Sequence, residues 1–196
     1  MAESAGAASS SLILASASPR RRWLLAALGV AFTVVSVDVD ERPRAGEEPV
    51  AFARRMAAEK VRGAARVGAG WVLGADTIVE IDARVLGKPV DVEEARAMLE
   101  RLSGRVHVVR TAVVLLAPSG TVAEELVETT EVSFRALDAA AIAAYVATGE
   151  PFDKAGAYAI QGEGAHLVDR VVGSFTNVIG LPLPEVAAWL RSRRIG

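Results

Sequence analysis

LILASASPRRRWLLAALG, residues 12–29, begins as an apolar run, breaks into small hydroxyl residues and then meets a proline and three arginines. A short apolar run bounded by turn residues and followed by helical spacing predicts strand, turn and helix. Ser18 suits the N-cap, and Pro19 suits the first helical position, where a missing N–H costs nothing. Leu24, Leu25 and Leu28 recur at helical spacing, and Gly29 is expected to close the helix as its C′ residue.

Arg20 and Arg21 are misplaced for a helix that only has to be stable. They fall in the first turn, beside unpaired N–H groups and the positive end of the helix dipole, where each cation forfeits roughly 0.3–1 kcal/mol. An anion at that end reverses the sign, because N–H groups, dipole and two guanidinium forks then converge on it. The turn reads as a phosphate cradle; the alternative is a solvated basic turn. Under the first reading, removing either arginine is expected to be neutral or slightly stabilising without ligand.

Working outward, the 196 residues suffice for one α/β domain with a real core, or for two small lobes sharing a cleft. Hydrophobic residues at 52% and charged residues at 23% exclude a disordered chain. A net charge of −2 argues against general nucleic-acid binding. The absence of cysteine excludes disulfides, zinc–thiolate sites and cysteine nucleophiles. A metal would be held by oxygen or by His107 and His166, and a hard ion such as Mg²⁺ prefers oxygen. The arginines and the apolar run after them resemble a twin-arginine export signal. However, an apolar run also precedes them, and Thr33, Ser36, Asp38 and Asp40 interrupt the supposed export core. No stretch of 18 apolar residues is present to span a membrane, and a cytoplasmic location is expected. Residues 1–10 are expected to be a flexible N-terminus, with 11–196 a single domain.

Along the chain, 31–41 alternates as a strand with Val35, Val37 and Val39 on one face. Glu41 falls on that face at the strand's exit, aimed at a cleft, or is a loop acid if the strand stops early. Residues 49–67 form a helix with an apolar stripe through Val50, Ala53, Ala57, Val61 and Ala64. Lys60 lies beside the stripe, where its stem can follow apolar surface and its head reach a pocket; taken alone, it reads as an ordinary solvated lysine. In the strand candidate 70–81, Asp76 is costly unless paired, metal-bound or facing a cleft. Asp82-Ala83 is a weak turn returning through 84–86, and Lys88 follows Gly87 in a loop. A capped helix at 91–102, two paired strands at 105–117 and 121–135, an alanine-rich helix at 138–148 and a final helix at 182–194 complete the regular elements. His107, inside a strand, reads as a packed residue. The glycine-rich segment 150–180 is the least regular, and Lys154 to Gly162 within it mixes donors, an aromatic and small residues.

Residues alone therefore give an α/β protein with a polyanion site. The ordered set Ser16-Ala-Ser-Pro-Arg-Arg21, Glu41, Glu59-Lys60, Gly74-Ala-Asp-Thr77, Gly87-Lys-Pro89, Leu102-Ser-Gly104, Lys154-Ala-Gly156, Ile160-Gln-Gly162 and Gly180-Leu-Pro182 resembles the Maf family across nearly the whole chain. Departures are mild: Ala159 stands where that family commonly has glycine, and Phe175 where it commonly has tyrosine. The resemblance implies a mixed, twisted α/β sheet with flanking helices and two lobes around a central nucleotide-binding cleft. It also implies a nucleoside triphosphate pyrophosphatase of the branch acting on dTTP and UTP, yielding monophosphate and pyrophosphate. It implies Asp76, Lys88, Lys60 and Glu41 as catalytic residues and Ser16, Arg20, Arg21, Thr77 and Gln161 as substrate-binding residues. Glu41 and Asp76 are the expected ligands of a divalent cation, Mg²⁺ first and Mn²⁺ second. The expected partner is the nucleotide, without nucleic acid or membrane, and a homodimer is allowed.

A triphosphate carries about four negative charges near neutral pH, which Arg20, Arg21, Lys60 and Lys88 would balance. Asp76 is the best general base, directly or through a metal ion, and the sequence leaves those roles unseparated. A non-catalytic regulator of septum formation is the alternative, against which the retention of Asp76, Glu41 and both lysines weighs. A kinase would need a Walker motif or a kinase glycine-rich loop, and the chain has neither.

Overall fold

The computed structural model describes residues 11–196; the expected flexible segment 1–10 lies outside the described residues. Strand β1 (Leu12–Ala15) is buried at every position and lies between β2 (Phe32–Val34) and β3 (Trp71–Ile81), parallel to both. An unbroken apolar run is what a strand covered on both faces requires. From β3 the sheet continues antiparallel through β4 (Arg84–Leu86), β5 (Val106–Leu116), β6 (Val122–Phe134) and β7 (Val168–Val172). Its order is β2-β1-β3-β5-β6-β7, with β4 also on β3.

One irregularity in this mixed sheet positions the site. β5 pairs with β3 from Val72 to Glu80 along one edge. On the opposite edge β1 pairs only as far as Gly74, and β4 starts only at Val79. Residues 75–78 therefore have a strand neighbour on one side and a gap on the other. Alternation then sends Asp76 and Thr77 to opposite faces of the sheet at that gap.

The two faces carry separate cores. Leu12, Leu14, Leu73 and Val113 belong to one, which includes side chains of α1 (Pro19–Ala26), α3 (Val92–Leu102), α4 (Ala139–Ala147) and α6 (Leu183–Ser192). Ile13, Ala15, Val72 and Val114 belong to the other, under α2 (Pro49–Ala65). That helix buries Phe52, Met56 and Val61, each contributing about 1.5–3 kcal/mol. Gly74 permits its close approach: a Cβ there would sit 2.5 Å from Val61 Cγ1 and 3.3 Å from the Ala57 carbonyl oxygen.

Several expected boundaries shift. α1 ends at Ala26, and Gly29 sits in the turn beyond, at φ 71°, donating its N–H to the Ala26 carbonyl. The strand expected over 31–41 is confined to Phe32–Val34, because β1 ends one residue past its last pairing with β2 and turns into α1. Val35, Val37 and Val39 nevertheless pack on the α2 core, so the alternation reflected burial without a ladder. The weak turn at Asp82-Ala83 is a two-residue hairpin with both residues at positive φ, 53° and 57°. Segment 150–180, read as irregular, contains three 3₁₀ turns, β7 and the short helix α5 (Phe175–Ile179).

Candidate functional site

A cleft of about 490 Å³ opens at the gap in the sheet, and its lining includes Ser16, Arg20, Arg21, Glu41, Lys60, Asp76, Thr77, Lys88 and Gln161. These nine residues are spread from position 16 to position 161, and the fold brings all of them to one cavity.

On the α2 face, Asp76 accepts a hydrogen bond of 2.7 Å from Lys60 Nζ. The same ammonium donates to Glu41 at 2.8 Å, and Lys88 Nζ reaches the other Glu41 oxygen at 3.2 Å. The Lys60 and Asp76 side chains are each only 12% exposed, so Lys60 is no ordinary surface lysine. Its stem runs beside the apolar stripe and its head enters the gap. Glu41 follows the β2 segment out of the sheet, so it is at once a loop acid and a cleft acid. Burial pushes the Glu41 carboxyl up, but the hydrogen bonds and charges of Lys60 and Lys88 outweigh burial and hold it below its ordinary value.

The opposite face carries a relay. Arg21 Nη2 donates to Thr77 Oγ1 at 2.8 Å, and Arg21 Nε donates to the Gly180 carbonyl at 2.7 Å. Thr77 Oγ1 lies 2.9 Å from Thr111 Oγ1, which donates to the Asn177 carbonyl at 3.1 Å. Because the Thr111 proton is spent on Asn177, Thr77 must donate to Thr111. Thr77 thus offers a ligand one acceptor lone pair and no proton. Burial lowers the Arg21 pKa from its ordinary value, the charge of Asp76 opposes that shift, Arg20 adds to the lowering and Glu41 opposes it.

Arg20 and Arg21, equivalent as first-turn residues, differ sharply in place. Arg21 is a strut among α1, β3 and Gly180, a role the helix dipole alone does not take into account, so its removal is expected to cost stability. Arg20 reaches across the cleft to Asp153, at 3.3 Å. Asp153 also accepts from Lys154, whose ammonium donates to the Glu150 carbonyl at 2.7 Å. Ser18 caps α1 through Arg21 N at 3.4 Å, and Ser16 Oγ accepts from Ser18 N at 3.2 Å. α1 has no acid in its first turn, which leaves the basic character of the cradle uncancelled locally.

Thr111 and Asp153 were missed in the sequence. Thr111 meets Thr77 only through the β3–β5 register, which no local pattern announces. Asp153 precedes Lys154 in a segment without periodicity, and nothing in that segment points to Arg20. His107 is the packed residue its strand position suggests: 1% exposed, with Nε2 hydrogen-bonded to Tyr158.

The donor set suits a hard cation. Glu41 and Asp76 both lie within hydrogen-bond distance of a single ammonium, so their oxygens address one region. Among the described residues no group of three or more metal-ligating side chains occurs, so a cation here would complete its shell with ligand oxygens and water.

Two chains of known structure share the architecture: a Ham1 protein of Staphylococcus aureus, at TM-score 0.54 and 13% identity over 93% of this chain and 99% of that one, and a HAM1 protein from Coxiella burnetii, at 0.51 and 17% over 93% and 98%. Sequence relatives are far nearer. A protein of Myxococcus xanthus named dTTP/UTP pyrophosphatase is 55% identical over 91% of this chain and 90% of its own length. One of Geobacter sulfurreducens with the same name is 51% identical over 94% and 96%. A nucleoside triphosphate pyrophosphatase of Xylella fastidiosa is 51% identical over 91% and 96%. The Maf-like protein family matches residues 11–193, from the residue before β1 to the residue after α6, and this chain belongs to the Maf family.

Proposed function

We propose that the chain hydrolyses nucleoside triphosphates, dTTP and UTP foremost, to the monophosphate and pyrophosphate. The observation that carries this reading is the meeting of Asp76, Glu41, Lys60 and Lys88 at the gap in the sheet, beside the arginine turn. The names of relatives at 51–55% identity support it.

In this reading the arginine turn and Lys88 bind the polyphosphate, and the Ser16–Arg21 turn adds backbone and hydroxyl donors. Water attacks the α-phosphorus in line; the new O–P bond forms as the α–β bridging bond breaks, and pyrophosphate leaves with the electron pair. Asp76 takes the proton from the attacking water, with Lys60 fixing the carboxylate's position at 2.7 Å. Mg²⁺, when bound, would be held by Glu41 and Asp76 and would supply positive charge to the phosphate oxygens. Gln161, half-buried on the cavity wall, has a donor and an acceptor side by side to match O4 and N3–H of uracil or thymine. The remaining Thr77 lone pair is an alternative acceptor for that one N3–H, and cytosine has no such proton. Such an enzyme would act on the cytoplasmic nucleotide pool and remove unwanted pyrimidine triphosphates before polymerases use them.

The test is a panel of triphosphates with Mg²⁺ and the purified protein, scored by kcat/KM and by product. Monophosphate and pyrophosphate from dTTP and UTP, in preference to CTP and purine triphosphates, supports the reading. Diphosphate plus phosphate, or no turnover, overturns it.

A further inference from the structure

Gln161 sits in a loop that has little regular structure, yet reading a base demands a fixed amide. The backbone of that loop is held from outside the cleft lining. Tyr145, on the last turn of α4, is 4% exposed, and its hydroxyl accepts a hydrogen bond of 3.1 Å from the Ala159 N–H, two residues before Gln161. The same hydroxyl donates to Glu150 Oε1 at 2.8 Å. On the other side of Gln161, the Glu150 carboxylate accepts from the Gly164 N–H at 3.0 Å and from the Glu163 N–H at 3.2 Å. One carboxylate and one phenol thus take up three backbone N–H groups that bracket Gln161.

The surrounding residues are shaped to this clamp. Gly162 stands at φ 72°, and a Cβ there would come within 2.5 Å of Glu150 Oε2. Gly164 is packed so tightly that a Cβ would come within 2.2 Å of the Ala159 carbonyl oxygen and 2.7 Å of the Tyr145 hydroxyl. Burial pushes the Tyr145 phenol well above its ordinary pKa, with the Glu150 carboxylate adding to that shift. The phenol therefore remains a donor to Glu150 at any working pH. The Glu150 main-chain carbonyl also accepts from Lys154, which ties the same residue to the Arg20–Asp153 side of the cleft.

We propose that Glu150, together with Tyr145, is a positioning residue for base recognition: it fixes the loop that presents Gln161 to the pyrimidine. This rests on the pyrophosphatase reading above. Charge-assisted bonds to backbone N–H groups are among the stronger ones a loop can use, and three backbone N–H groups held on one short segment restrict it far more than packing of small residues would.

The test uses Glu150→Gln and Tyr145→Phe in the full-length enzyme, with Glu150→Asp as the conservative variant. Each of the first two should lower kcat/KM for dTTP by about tenfold, the factor that goes with losing one hydrogen bond to a charged acceptor. The loss should appear mainly in KM, and kcat/KM for a purine triphosphate should fall much less. Glu150→Asp should recover part of the preference. Amide exchange at Ala159, Glu163 and Gly164 should accelerate in Glu150→Gln while exchange in β3 and β5 is unchanged. Combining Glu150→Gln with Gln161→Ala should add little to the loss from Gln161→Ala alone, because one residue acts through the other. A dTTP preference that persists in Glu150→Gln, or an equal loss for every triphosphate, overturns the role of Glu150. A parent enzyme with no pyrimidine preference overturns the pyrimidine reading itself, whatever the variants do.

Discussion

Asp76 is a carboxylate placed mid-strand where no strand covers one edge, and the proposed reaction turns on this single residue. Asp76→Asn keeps the shape and can still accept from Lys60, which also retains Glu41. We expect an unchanged melting temperature within a few degrees and a fall in kcat of roughly 10²- to 10⁴-fold, the usual cost of a lost general base. Steady-state kinetics beside thermal melts check this, and near-normal turnover would remove Asp76 from the reaction. The arginines separate at this scale as well. Arg21→Ala removes the donor to the Thr77 hydroxyl oxygen and to the Gly180 carbonyl, and should cost about 1–3 kcal/mol of stability. Arg20→Ala loses only a part-exposed pair with Asp153 and should change stability by less than about 1 kcal/mol. Both variants should lose much of the thermal shift that a triphosphate gives the parent. Denaturant melts without ligand and thermal melts with it distinguish the two arginines.

Among elements, the contact of α2 with β3 matters most for the site, since it delivers Lys60 to Asp76. Its closeness depends on Gly74, where an added methyl must displace Val61 or the Ala57 carbonyl. Gly74→Ala should therefore cost about 1–3 kcal/mol and lower kcat, because Lys60 is the neighbour of Val61 and moves with it. Adding Val61→Ala should restore part of both losses, as kinetics and melting will register. Elements of this kind are well marked in the sequence where the signal is local: Ser18-Pro19 starts α1, Asp91 caps α3, and apolar runs mark β3 and β5. Where the signal is a pairing, it is silent. Nothing in 31–41 tells that its ladder stops at Val34, and nothing in 75–78 tells that β1 and β4 leave a gap there. The candidate site followed the same rule. Asp76 stood out as a charge in an apolar run, whereas Thr111, Tyr145 and Glu150 act through contacts set by tertiary packing. Lys60 and Glu41, each ambiguous alone, became informative only through the ordered motifs.

For the whole molecule, the buried His107 couples stability to pH. Burial holds its imidazole at about 4 against an ordinary 6.5, so between those values the unfolded chain binds a proton that the folded chain refuses. Stability is then expected to rise with pH through that window and level off above it, by about 1.5 kcal/mol between pH 5 and 6.5. The carboxylates held low by arginine, Asp40 and Glu47 at about 2, lose their contribution only at lower pH, as it falls below the ordinary carboxylate range. Glu128, raised by burial and then by Glu185, acts in the opposite sense. The difference between parent and His107→Gln unfolding curves across pH 5–7 isolates the histidine: its rise should be lost in the variant, and equal slopes would show that His107 does not carry it.

Water attack at the α-phosphorus within the Asp76 cleft is decided by hydrolysing dTTP in ¹⁸O-labelled water. The expected product is dTMP carrying one ¹⁸O on its phosphate, with unlabelled pyrophosphate. Label in the pyrophosphate, or release of dTDP and orthophosphate, would contradict it.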